Sequence, residues 1–155
     1  MKSAILILLA MLTSLSTQAQ QVNEENDVFR STFGKARKTV VKELIPLDKM
    51  KGESFNKIYD EYASVQKNLA KEKYALLNNY VESYYDIDNE KAGTLMKKAL
   101  SIRKQETKMM TKYYKKMSKA CGAKVAAQFY QIENYFNSTI ALVITENLPF
   151  IGEIE

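Results

Sequence analysis

Histidine is absent from this chain, cysteine occurs once, at Cys121, and its 155 residues include only two prolines and five glycines. Without histidine and with one thiol, the chain cannot assemble the Cys/His sets that hold structural zinc, nor a Ser-His-Asp or Cys-His pair. No glycine-rich loop resembles a phosphate cradle. So few breakers leave no linker to divide domains, and internal repeats and low-complexity tracts are absent. Any catalysis would fall to carboxylates, tyrosines and lysines, and the acids are scattered over helix faces. Glu106 and Glu133 stand nearest the apolar stripes. A buried carboxylate of shifted pKa can serve as acid or base, but a glutamate so placed is more often paired with lysine or arginine. The expectation is a non-enzymatic protein with no catalytic residues, cofactor or metal. Met109, Met110 and Met117 would be soft ligands for copper(I), yet methionine at helical spacing is usually core filler.

What is present begins with an address. Lys2, the apolar run Ala4 to Leu12 and the small residues Thr17-Gln18-Ala19 form a secretory leader, with cleavage expected before Gln20. The run falls short of the roughly 20 residues needed to span a bilayer. Residues 1–19 are thus read as a signal peptide and 20–155 as a single all-helical domain, soluble and periplasmic. In an exported protein the odd Cys121 is either a buried free thiol or half of an intermolecular disulfide.

Hydrophobic periodicity predicts helices throughout the mature chain. Val28, Phe29, Phe33, Ala36, Val40, Val41 and Leu44 share a face over about Asn23–Ile45, with Pro46 ending the helix and Gly34 weakening it by roughly 1 kcal/mol against alanine. This is expected to be the least stable element, a strap across the others. Phe55, Ile58, Tyr62, Val65 and Leu69 continue through Leu76, Tyr80 and Tyr84 to about Asp86, with Asp48 as cap. Leu95, Ala99, Ile102, Glu106, Met109 and Tyr113 mark a third helix from about Asn89 to Ala120, closed by Gly122. Val125, Phe129, Ile132, Phe136, Ile140 and Val143 mark the fourth, between Gly122 and Pro149. Beyond Ser138 its apolar residues go all the way round, so that half needs cover on more than one side. The fold class is all-α, an elongated antiparallel helical bundle or hairpin of about four helices with two long central ones, each about 50 Å long.

Charge is unevenly placed. The mature chain has 22 basic and 18 acidic residues, net +4. Residues 88–120 hold ten basic residues against three acids, net +7, whereas residues 121–155 are net −3. The segment Lys108–Lys119 interleaves Tyr113 and Tyr114 with Lys112, Lys115 and Lys116. Such a patch suits anionic partners. An exported protein seldom meets nucleic acid, which leaves unfolded or specific envelope proteins, anionic lipid at a membrane surface, or cell-wall polymers. Those five residues, with Ile140, Val143 and Ile144 as a homodimer contact or the floor of a client surface, are the candidate partner-binding site.

Leu47, Asp48 and Phe55 have the spacing of the L-T-x-x-Q motif and following phenylalanine of the Spy/CpxP group of periplasmic helical proteins, with Asp for Thr and Lys51 for Gln. Cys121, Gly122, Val125 and Phe129 occupy the second copy's positions, with only Phe129 retained. The chain resembles that group. The segment Phe129-Tyr130-Gln131-Ile132-Glu133-Asn134, leading to Leu148-Pro149, and the Asp60-Glu61-Tyr62 region are similar to a related set of small secreted bacterial helical proteins without assigned activity. The Spy/CpxP resemblance implies a cradle-like homodimer that shields unfolded clients without ATP, or an inhibitory partner of an envelope-stress sensor. The expected function is an ATP-independent chaperone or envelope-stress accessory factor, with a structural or adaptor protein for one envelope partner as the alternative.

Overall fold

The computed structural model describes residues 29–30 and 32–152; the expected leader and the start of the first predicted helix lie outside them. Four helices follow in order: α1 (Arg37–Leu44), α2 (Lys49–Glu82), α3 (Asn89–Cys121) and α4 (Ala123–Thr145), with no strand among the described residues. At 34 and 33 residues, α2 and α3 are each about 50 Å long.

The boundaries follow local chemistry. The Asp48 carboxylate accepts from the Lys51 amide (2.9 Å) and that of Asp88 from the Lys91 amide (2.8 Å), each satisfying an otherwise free first-turn donor. The Asp48 carboxyl is held below its usual range, chiefly by the Lys51 amide. Gly122, at φ +93°, lets α3 stop and α4 start without an intervening loop. The first predicted helix is not continuous. Residues 29–30 and 32–33 are helical, Gly34 sits at φ +70°, and α1 begins at Arg37. Gly34 is therefore a hinge between two helical pieces and not a flaw inside one.

The long helices run up, down and up. Tyr62 meets Tyr113 edge to face (5.5 Å) and Lys73 meets Glu106 (2.7 Å), so α3 is antiparallel to α2. Tyr114 faces Tyr130 (6.4 Å) across the Gly122 turn, so α4 is antiparallel to α3. The strap α1 bridges α2 and α4, Lys38 pairing with Asp60 and Arg37 with Glu133, while Phe29, ahead of α1, packs edge-on against Phe136 (4.9 Å). Val41 and Ile45 complete its buried side, each contributing roughly 1.5–3 kcal/mol. It covers only the part of the bundle between the Gly122 turn and about Asn137. In the other half α2 and α3 line an open groove of about 760 Å³, whose walls include Glu72, Leu76, Asn79, Leu95 and Lys98.

Two predicted stripes shift. In α4 the buried positions are Ala126, Phe129, Glu133, Phe136 and Ile140, with Val125, Ile132 and Val143 only half-buried. In α2 Tyr59 and Tyr74 are core, and Val65 is exposed. The cover expected round the end of α4 is also partial, since Leu142 remains 59% exposed.

Candidate functional site

Two arrangements of polar residues stand out, one sealed and one open. The sealed one is centred on Glu133, which is 0% exposed among Phe129, Phe136 and the tyrosines of α2. Its Oε1 accepts from the Tyr59 hydroxyl (2.9 Å). Its Oε2 accepts from the Tyr62 hydroxyl (2.8 Å) and from Arg37 Nε (3.0 Å) and Nη2 (2.6 Å). Arg37 Nη2 also donates to Asn137 Oδ1 (2.5 Å), and the guanidinium lies 5.3 Å from the Phe29 ring and 5.5 Å from the Phe136 ring. Helical phase builds the site: Tyr59 and Tyr62, and likewise Glu133 and Asn137, lie one turn apart on one face.

The electrostatics are those of a closed ion pair. Burial, the largest single influence, works to lower the Arg37 pKa, but the Glu133 carboxylate together with Tyr62 and Tyr59 outweighs it and the guanidinium is held above its ordinary value. Burial first, then the Glu133 charge, pushes the Tyr59 and Tyr62 hydroxyls well above the usual phenol value. All donors point at a carboxylate whose two oxygens are both engaged, which ties α1, α2 and α4 together. Glu106, the other inspected acid, is a partly exposed partner of Lys73. Glu133 and Glu106 are thus paired with Arg37 and Lys73.

The open arrangement is the outer face of α3, and here the expected partner site divides. Lys112 and Lys115 are exposed. Tyr113 is not available: it is 3% exposed and its hydroxyl donates to the Glu61 carbonyl (3.2 Å). Tyr114 is half-buried, and Lys116 pairs with Glu61 (2.5 Å), an exposed pair that raises the lysine and lowers the carboxyl. Ile140 is core at 6% exposure, Ile144 packs half-buried against that core, and Val143 is half-buried. The Tyr114–Tyr130 register places Lys112 level with about residue 132, so Ile140 and Ile144 stand about 12 and 18 Å further along the bundle. The lysines do not flank them as expected. Large apolar side chains that do face outward at that height are Leu100 (63% exposed), Leu142 and Met96.

Met109, Met110 and Met117 are buried core residues. Among the described residues no group of three or more His, Cys, Asp or Glu is placed to hold a metal. Cys121 is buried and free, its Sγ 3.8 Å from the Lys51 carbonyl, and burial raises its thiol pKa. No described helix is long and apolar enough to cross a membrane. Comparison with protein-family models, with curated proteins and with solved structures returns no match.

Reading the sequence missed Arg37, Tyr59 and Asn137. The usable signal was phase: Glu133 stands at positions of 4 and 3 from Phe129 and Phe136, inside the stripe and not beside it.

Proposed function

We propose that the chain is a non-enzymatic binding protein, an exported ATP-independent chaperone or envelope-stress accessory factor of the kind its Spy/CpxP-like motifs imply. The observation that carries this reading is the exposure of Met96, Leu100 and Leu142 on the half of the bundle that α1 does not cover. Beside them α3 carries ten basic residues against two acids. Basic charge steers acidic or unfolded polypeptides to the surface, and flexible apolar side chains then hold segments of many sequences. The sealed Arg37–Glu133 cluster fixes the scaffold while this surface stays free to adapt. A homodimer that covers Leu142 fits the same surface.

The test is suppression of aggregation of an unfolded client at low and high salt, with sedimentation of the protein alone. Protection that weakens with salt and with Leu100→Lys supports the reading. Absence of protection at either salt, with capture of one stoichiometric envelope partner, replaces it with the adaptor role.

A further inference from the structure

Lys97, Lys104, Lys108, Lys112, Lys115 and Lys119 recur along α3 at spacings of 7, 4, 4, 3 and 4. At 100° per residue they fall within an arc of about 80°, roughly opposite the buried Ile102, Met109, Tyr113 and Met117. All six are exposed, and none forms an ion pair among the described residues. The lysines of α3 that are paired, Lys98 and Lys116, point instead to Glu72 and Glu61 of α2. The six therefore make a line of unneutralised charge about 33 Å long on a straight helix.

An ordinary solvated face does not look like this. The equally long α2 has six basic residues and five acids, so its outer charges are mixed. We propose that the outer edge of α3 is a docking line for an anionic phospholipid surface. Three features favour a flat lipid surface over a linear polyanion. The line is a convex ridge on a rod, which meets a plane along its whole length, whereas extended polyanions are held in grooves. Its cations are all lysines, compact point charges without the planar fork that recognises single phosphates. Neither aromatic ring of α3 stands free beside it for base stacking, since Tyr113 is core and Tyr114 is packed on Tyr130. Leu100, 63% exposed and within about 60° of the line, is placed to reach the boundary between headgroups and acyl chains. This proposal rests on charge geometry and draws on the same basic helix and Leu100 that the chaperone reading uses.

Co-sedimentation of the protein recovered from expressing cells with phosphatidylcholine vesicles, with and without 30% phosphatidylglycerol, tests it. Binding is expected only to the anionic vesicles and to fall steeply with added salt. Lys104→Gln, Lys108→Gln and Lys115→Gln together are expected to weaken it about a hundredfold, and Lys98→Gln with Lys116→Gln to change it little. Wild-type protein that suppresses aggregation yet binds no anionic vesicle overturns this proposal and leaves the chaperone reading standing, which separates the two although both use basic residues of α3. Equal binding to neutral vesicles, or a triple variant that binds as well as the wild type, overturns it. Tight binding of soluble polyphosphate with none to anionic vesicles assigns the line to a linear polyanion instead. If the triple variant loses helicity, the salt and phosphatidylglycerol dependence of the wild type decides.

Discussion

The two halves of the bundle are built from the same three helices yet solve burial differently. Between the Gly122 turn and Asn137 a fourth element, α1, lies over the α2–α4 groove, and the side chains there are among the most buried: Tyr59, Tyr62, Phe129, Glu133 and Phe136. Beyond Asn137 three helices remain, the core reduces to residues such as Leu69, Ile102 and Ile140, and Leu100, Leu142 and Met96 face water. Where α4 is apolar on every side, its cover among the described residues is partial, with Leu142 left 59% exposed. One half is therefore the scaffold, and the other has surface to spare for binding.

The sharpest way to break that division is at Glu133. Glu133→Ala leaves Arg37 and two tyrosine hydroxyls buried around a missing carboxylate, with an expected cost of about 3–5 kcal/mol in urea denaturation. Replacing the pair by apolar residues, Arg37→Met with Glu133→Leu, is expected to recover much of the loss, because desolvated charges repay little more than their own burial. A double variant no more stable than Glu133→Ala would mean that the cluster does more than join three helices.

Tyr62→Phe should cost about 1.5–3 kcal/mol, the worth of one hydrogen bond to a charged group. Tyr59 and Tyr62 also set an alkaline limit. Both folded-state values lie above the ordinary 10.0, through burial first and the Glu133 charge second, so the folded chain keeps protons that the unfolded chain releases. The stabilisation is complete below about pH 10 and is lost as pH rises above it. Arg37, also held above its ordinary value, acts in the same direction at still higher pH. Thermal melts between pH 8 and 11 should therefore decline in the wild type and flatten in a Tyr59→Phe/Tyr62→Phe variant.

Gly34→Ala tests the hinge that brings the strap over the scaffold. A glycine inside a helix would gain stability on substitution; at φ +70° alanine is strained, and a loss of about 1–2 kcal/mol is expected although no atom lies within 4 Å of the added carbon.

These outcomes follow the line between what sequence reveals and what it hides. Helix positions were legible because stripes at 3 and 4 and the caps Asp48, Asp88 and Gly122 are local signals. The hinge at Gly34 was not, because a glycine inside a periodic pattern reads as a weak spot until its φ is known. The Arg37–Glu133 pair joins residues 96 apart, and no local rule selects one arginine for one glutamate over such a distance. Tyr113 sat in two readings at once, as a stripe residue and as part of the lysine-tyrosine patch; its phase with Ile102 and Met109 decides for the core. Leu100 falls outside the apolar stripe of α3, and the exposure of Leu142 depends on how far α1 reaches.

Leu142→Ser carries the smallest expected effect and bears most directly on the comparison. At 59% exposure Leu142 gives up little buried area on substitution, so stability should change by no more than about 0.5 kcal/mol. If the uncovered half is a working surface, the same change should reduce protection of an unfolded client or shift a monomer–dimer equilibrium in sedimentation, with helix content unaltered. A stability loss of several kcal/mol would instead place Leu142 in a covered core and close the gap between the two halves. Unchanged stability together with unchanged protection and unchanged association would make the exposed leucine ordinary surface, and the proposed client contact would then have to lie on α3, at Met96 and Leu100.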